Sequence, residues 1–208
     1  MKNAIKITTV VMGTLAGLAG IEHGVGEILQ GNVVPESVMI QSWPDLAVME
    51  ILNGEPAMTV VPNLLVTGIL AILFSLVFLA WATLATRHRF YGPVLMLICI
   101  PMLLFGAGFG PPLLGLIIGA AATASEANWR APRRGRLRSL LGKLWPWSLG
   151  ACLAAWLAML PGTVLLDLLW GIKNADLAYG LMAAMFILLF LTILTGAARD
   201  SQQAAPAG

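Results

Sequence analysis

The chain has 208 residues, 59% of them hydrophobic and only 11% charged, with a mean hydropathy of +0.87. A soluble domain carries roughly 25% charged residues, so this composition excludes an ordinary water-soluble globule and places the chain in the membrane class. The formal net charge of +2 excludes little by itself; the positions of the charges along the chain carry the information.

The N-terminal "MKNAIKITTVVMGTLAGLAG" has Lys2 and Lys6, then an apolar stretch, then small residues. That order is shared with cleavable signal peptides, but the apolar run continues through Ile28 and Leu29. It is long enough to span a bilayer, which needs about 20 residues, so residues 5–30 read as the first span. Gly13, Gly17, Gly20 and Gly24 recur along it at helical spacing and predict a seam for close helix packing in lipid.

Residues 31–62 form a loop containing Glu36, Asp45, Glu50 and Glu55 but no Lys or Arg. A connection this long has structure of its own. "SWPDLAVMEILNGEP" predicts a short helix, with Pro44 in its first turn, Asp45 near the positive dipole end and Gly54 as its stop. Leu46, Met49 and Leu52 supply its periodicity, and Trp43 is expected at the membrane interface. The segment is expected to cap the outer mouth of the bundle.

Residues 63–86 are the clearest span, and 145–168 and 177–197 are two more. Between them, 91–124 is interrupted by "FGAGFGPP". Crossing once here would put five basic residues inside and seven outside; going in and returning puts eleven inside and leaves Lys173 alone outside. The positive-inside rule selects the second arrangement. The region therefore reads as a hairpin, with Gly106, Gly108 and Gly110 permitting its turn and Pro111 and Pro112 suited to the first turn of the returning arm.

The fold class is thus an all-α, polytopic integral membrane helix bundle. It has about six hydrophobic helices, or four spans plus a re-entrant hairpin at 91–124, with both termini cytoplasmic. Residues 1–198 read as a single transmembrane domain with an external loop at 31–62, and 199–208 as a small, polar, flexible tail. In a prokaryote the location is the cytoplasmic membrane.

The cytoplasmic loop 126–144 contains Arg130, Arg133, Arg134, Arg136 and Arg138. It reads as a topology signal that also touches anionic lipid headgroups or a membrane partner. No motif or aromatic interleaving supports nucleic acid. Homo-oligomer formation or a membrane partner is also open. Cys99 and Cys152 lie in apolar runs without CxxC spacing and read as packing residues.

The candidate site is at the end of the first span, in "GIEHGVGEILQGN". His23 and Glu27 are four apart, so they share a helix face that Gln30 continues; Glu22 lies about a quarter-turn away. Charge is expensive in hydrocarbon, so this face is expected to point into the bundle, in the outer half of the bilayer. Asp167, near the outer end of its helix, is a further member of this polar vestibule. If the backbone at Gly106, Gly108 and Gly110 stops within the hydrocarbon, it must be buried in protein or line a wet cavity, as broken elements in transporters do.

His23 and Glu27 have helical ligand spacing but lack HExxH, and one helix does not make a complete metal site, so they are weak metal candidates. No cofactor is expected, and GxSxG, P-loop, dinucleotide and CxxCH signatures are missing. The functional expectation is a small-solute, ion or proton transporter, or a channel-like protein. The alternative is a non-catalytic accessory or scaffold subunit that packs through the glycine seam.

Overall fold

The computed structural model describes residues 4–44, 46–126 and 136–203. Its α-helices are α1 (Ala4–Gln30), α2 (Leu64–Leu84), α3 (Tyr91–Leu104), α4 (Gly110–Glu126), α5 (Arg136–Leu157), α6 (Thr163–Trp170) and α7 (Ala175–Gln203). Among the described residues, four helical stretches are long and apolar enough to cross a membrane: Ala4–Gln30, Leu64–Leu84, Leu137–Trp170 and Ala175–Gln203. The third is α5 and α6 joined by a π-turn at Ala158–Gly162. Pro161 in that turn has no N–H to continue the helical ladder, and a widened turn absorbs the missing bond.

The interrupted region forms α3 and α4, of 14 and 17 residues. At 1.5 Å per residue these are about 21 and 26 Å long, short of a hydrocarbon core of about 30 Å. The chain reverses between them at 105–109, where Gly106 and Gly108 adopt φ of +88° and +72°. Gly110 has no such conformation. It opens α4 directly before the two prolines, whose missing N–H groups fall in the first turn where no intrahelical partner exists.

The chain divides into two compact units, Thr9–Thr123 and Met1–Thr8 with Ala124–Gly208. In the latter, α5 and α7 pair through polar threads in an apolar contact. Ser148 and Thr195 hydroxyls lie 2.8 Å apart, and the Trp145 indole donates to Thr8 Oγ1 at 3.1 Å. The Asp200 carboxylate accepts the N–H groups of Ala4 and Ile5 at 2.6 and 3.1 Å, satisfying donors that a helix start leaves without partners. That contact requires α7 to stay helical past Arg199, and it runs to Gln203, into the stretch that composition alone reads as tail. Arg130, Arg133 and Arg134 lie outside the described residues. Arg136 opens α5 and Arg138 follows in its first turn.

In the Thr9–Thr123 unit, α1 and α2 run antiparallel along the glycine seam. A Cβ on Gly13 would come within 2.8 Å of Ala82 Cβ, and one on Gly17 within 2.9 Å of Leu79 Cβ. Gly20 faces Ser75 and Met102, and Gly24 and Gly68 face each other's carbonyl oxygens. This packing consumes the seam within the chain itself.

The loop between α1 and α2 is folded rather than slack. Strands β1 (Met39–Gln41) and β2 (Pro56–Met58) pair antiparallel, with Met39 opposite Met58 and Gln41 opposite Pro56. Between them is a six-residue 3₁₀ helix, Ala47–Leu52, in place of the expected α-helix. With three residues per turn, it buries Met49, Ile51 and Leu52 and leaves Leu46 outside as its N-cap. Asp45, expected at the dipole end, lies outside the described residues.

Candidate functional site

The hairpin continues one step beyond its strands. Ser42 N–H donates to the Glu55 carbonyl at 3.1 Å, and Trp43 N–H to Gly54 at 2.9 Å. This sets Ser42 and Glu55 side by side, and both side chains reach α1. The Ser42 hydroxyl donates to Glu27 Oε1 at 3.4 Å. Glu55 Oε2 lies 2.8 Å from His23 Nδ1, and Glu22 Oε2 approaches the same nitrogen at 3.2 Å. Gly26 gives the hairpin room, because a Cβ there would strike the Ser42 carbonyl and the Trp43 ring.

His23, Glu27 and Glu55 are buried and Glu22 is half-buried. The two approaches to Nδ1 are ion-pair distances, yet neither is aligned as a hydrogen bond. His23 Nδ1, Glu55 Oε2, both Glu22 oxygens and Glu27 Oε2 are buried without a hydrogen-bond partner. Polar atoms in that state are uncommon, because each forfeits its solvation. Burial pushes the Glu55 carboxyl up, but the neighbouring His23 and the adjoining Glu22 carboxyl outweigh burial and hold it below its ordinary value. Glu55 also has φ of +54°. For a non-glycine residue that costs on the order of 1–3 kcal/mol and persists only where surrounding contacts dictate it.

The glycine turn closes the other side of the cluster. A Cβ on Gly106 would overlap both Glu27 carboxylate oxygens, and one on Gly108 would overlap His23 Nε2. The turn is in turn tied to the hairpin strands, since Val60 N–H donates to the Leu104 carbonyl at 3.1 Å and Thr59 bridges to Phe105. Phe105 stacks on Phe74 of α2 with ring centroids 5.4 Å apart. The interrupted backbone therefore lies against the interior of α2, away from its ends.

The residues singled out from sequence fall into distinct places. Glu22, His23, Glu27, Gly106 and Gly108 meet in one cluster. Gly110 is adjacent in sequence but open, with nothing near its Cβ position. Gln30 clips the hairpin to α1, its amide donating to the Gln41 and Ser42 carbonyls at 3.0 Å each. Asp167 lies half-buried on α6 in the other unit.

Glu55 and Ser42 are the members that sequence reading misses. They stand 32 and 19 positions beyond His23, across a hairpin that no helical period reports; a loop rich in acids and empty of bases is the one hint. A separate cavity of about 620 Å³ opens in the same loop, lined by Gln30, Glu36, Gln41 and Asn53 among others, and none of Glu22, His23, Glu27 or Glu55 lines it.

No family model, curated protein or solved structure matches this chain.

Proposed function

We propose that this protein moves a small cation, the proton included, across a membrane. Its path passes through the cluster of Glu22, His23, Glu27 and Glu55. The observation that carries this reading is the direct packing of the His23 ring and the Glu27 carboxylate on the interrupted backbone at Gly106 and Gly108. Ionisable groups inside a spanning helix are costly and mark ion pathways, and broken backbone at membrane depth belongs where it borders protein or a wet cavity.

The hairpin supplies the closing element. It covers the cluster with Glu55 and Ser42 and is bonded to the glycine turn through Val60 and Thr59. Displacing the hairpin uncovers His23 and releases the turn in one movement. A scaffold packing through Gly13, Gly17, Gly20 and Gly24 is less well supported, because α2 already occupies that seam.

The test is flux into proteoliposomes holding the purified chain, read with an internal cation or pH dye under an imposed gradient. Wild type should exceed empty vesicles. His23→Gln and Glu27→Gln should fall to the empty-vesicle rate while keeping helical circular dichroism and a monodisperse elution. Wild type indistinguishable from empty vesicles, or both variants running at the wild-type rate, overturns the reading.

A further inference from the structure

We propose that Glu22, His23 and Glu55 form a binding site for one divalent transition-metal ion of the zinc class, with imidazole Nδ1 and one oxygen of each carboxylate as its ligands. The three ligand atoms all lie within 4.8 Å of one another. Zinc binds nitrogen and carboxylate oxygen at about 2.0–2.2 Å, so the edges of a tetrahedral site are roughly 3.3–3.5 Å. The Nδ1–oxygen separations of 3.2 and 2.8 Å are a few tenths of an ångström from those edges. Small side-chain movements make the site.

The unsatisfied atoms are an independent pointer. His23 is 7% exposed and Glu55 is 5% exposed. Nδ1 and Glu55 Oε2 face each other with no aligned hydrogen bond, and the Glu22 oxygens beside them are also unpartnered. Buried nitrogen and carboxylate oxygens this close, with no aligned hydrogen bond among them, offer a divalent ion its ligands.

The orientation of the ring is fixed from behind. Gly108 packs against Nε2, so Nδ1 is the nitrogen presented to the carboxylates. Three protein ligands leave a fourth position open for water, which suits an ion that exchanges rather than a closed structural site. As a statement about transport, this names the cation of the path proposed above and rests on that reading; as a statement about binding it does not.

The experiment uses the full chain purified in detergent, stripped with chelator and titrated with Zn²⁺ against a chromogenic competitor. Co²⁺ serves as a spectroscopic stand-in. Wild type should bind one ion per chain and give the visible bands of cobalt in a low-coordinate nitrogen–oxygen site. Glu55→Gln and His23→Gln should each weaken binding about tenfold or more, at least the loss seen when a supporting outer group is removed. Glu36→Gln, at an exposed position outside the cluster, should bind as wild type does.

Glu55→Gly guards against misfolding, because glycine is at ease at the φ of +54° found there; it should keep the fold and lose the ion. Wild type that binds no more Zn²⁺ than the Glu22→Gln/His23→Gln/Glu55→Gly combination, or Glu55→Gly that binds like wild type, overturns the site. Stoichiometric binding without flux overturns the transport reading and leaves the site. Cation flux without metal binding overturns the site and leaves the path.

Discussion

Gly106, Gly108 and Gly110 look equivalent in the sequence, and their surroundings make them unequal. Gly108 combines φ of +72° with a Cβ position already filled by His23 Nε2, whereas Gly110 starts α4 with open space around it. Gly108→Ala must carry left-handed strain and push the imidazole aside, a cost of about 2–4 kcal/mol from strain and overpacking together. Gly110→Ala meets neither obstacle and should change stability by no more than about 0.5 kcal/mol. Thermal unfolding in detergent reads both: Gly108→Ala should melt several degrees lower, while Gly110→Ala should match wild type. Equal melting of the two would mean that the turn does not press on His23. At this scale the sequence reveals which positions are glycine but not which of them a neighbour fills, because the neighbour lies more than eighty residues away.

Among the elements, the helices were legible and the hairpin was not. Hydropathy is a local sum, so spans expected at 63–86 and 177–197 appear as Leu64–Leu84 and Ala175–Gln203, and the break in 91–124 falls where glycines and prolines cluster. The hairpin depends on pairing Met39–Gln41 with Pro56–Met58 across an intervening 3₁₀ turn, a non-local register with no periodic mark. The missing site member, Glu55, depends on that same register. Gln30 is the fastener that sequence placed on the polar line of α1. Its amide spans from α1 to the Gln41 and Ser42 carbonyls, two bonds worth about 1–2 kcal/mol together. Gln30→Ala should therefore speed hydrogen exchange in the hairpin, at Ser42 and Trp43 especially, by roughly 5- to 30-fold, since 1.4 kcal/mol is a factor of ten. Protection in α2 should not change. Unaltered exchange in the hairpin would assign its docking to its other contacts, Glu55 with His23, Ser42 with Glu27 and Val60 with Leu104.

For the whole molecule, charge placement and depth make one joint statement about sidedness. Eleven of the twelve basic residues fall on one side if 91–124 enters and returns, and the described hairpin of α3 and α4 has that in-and-back form. Its turn is bonded to Thr59 and Val60 of the loop between α1 and α2, so it approaches the side on which that loop lies. A hairpin of this kind, crossing completely or stopping short, would return the chain to the membrane face it left. The positive-inside rule therefore predicts residues 36 and 203 on opposite faces of the membrane. Glu36 and Gln203 are exposed, and the two native cysteines are buried, which leaves single engineered thiols readable. In intact bacterial cells, Glu36→Cys should react with a membrane-impermeant maleimide, and Gln203→Cys should react only after the membrane is opened. Labelling of both thiols in intact cells requires an even number of crossings between them, and would replace the hairpin at 91–124 with a single passage. Labelling of Gln203→Cys alone in intact cells would keep the fold and invert it, placing Glu55 and its cluster on the cytoplasmic side, where the arginine-rich segment has no reason to be absent.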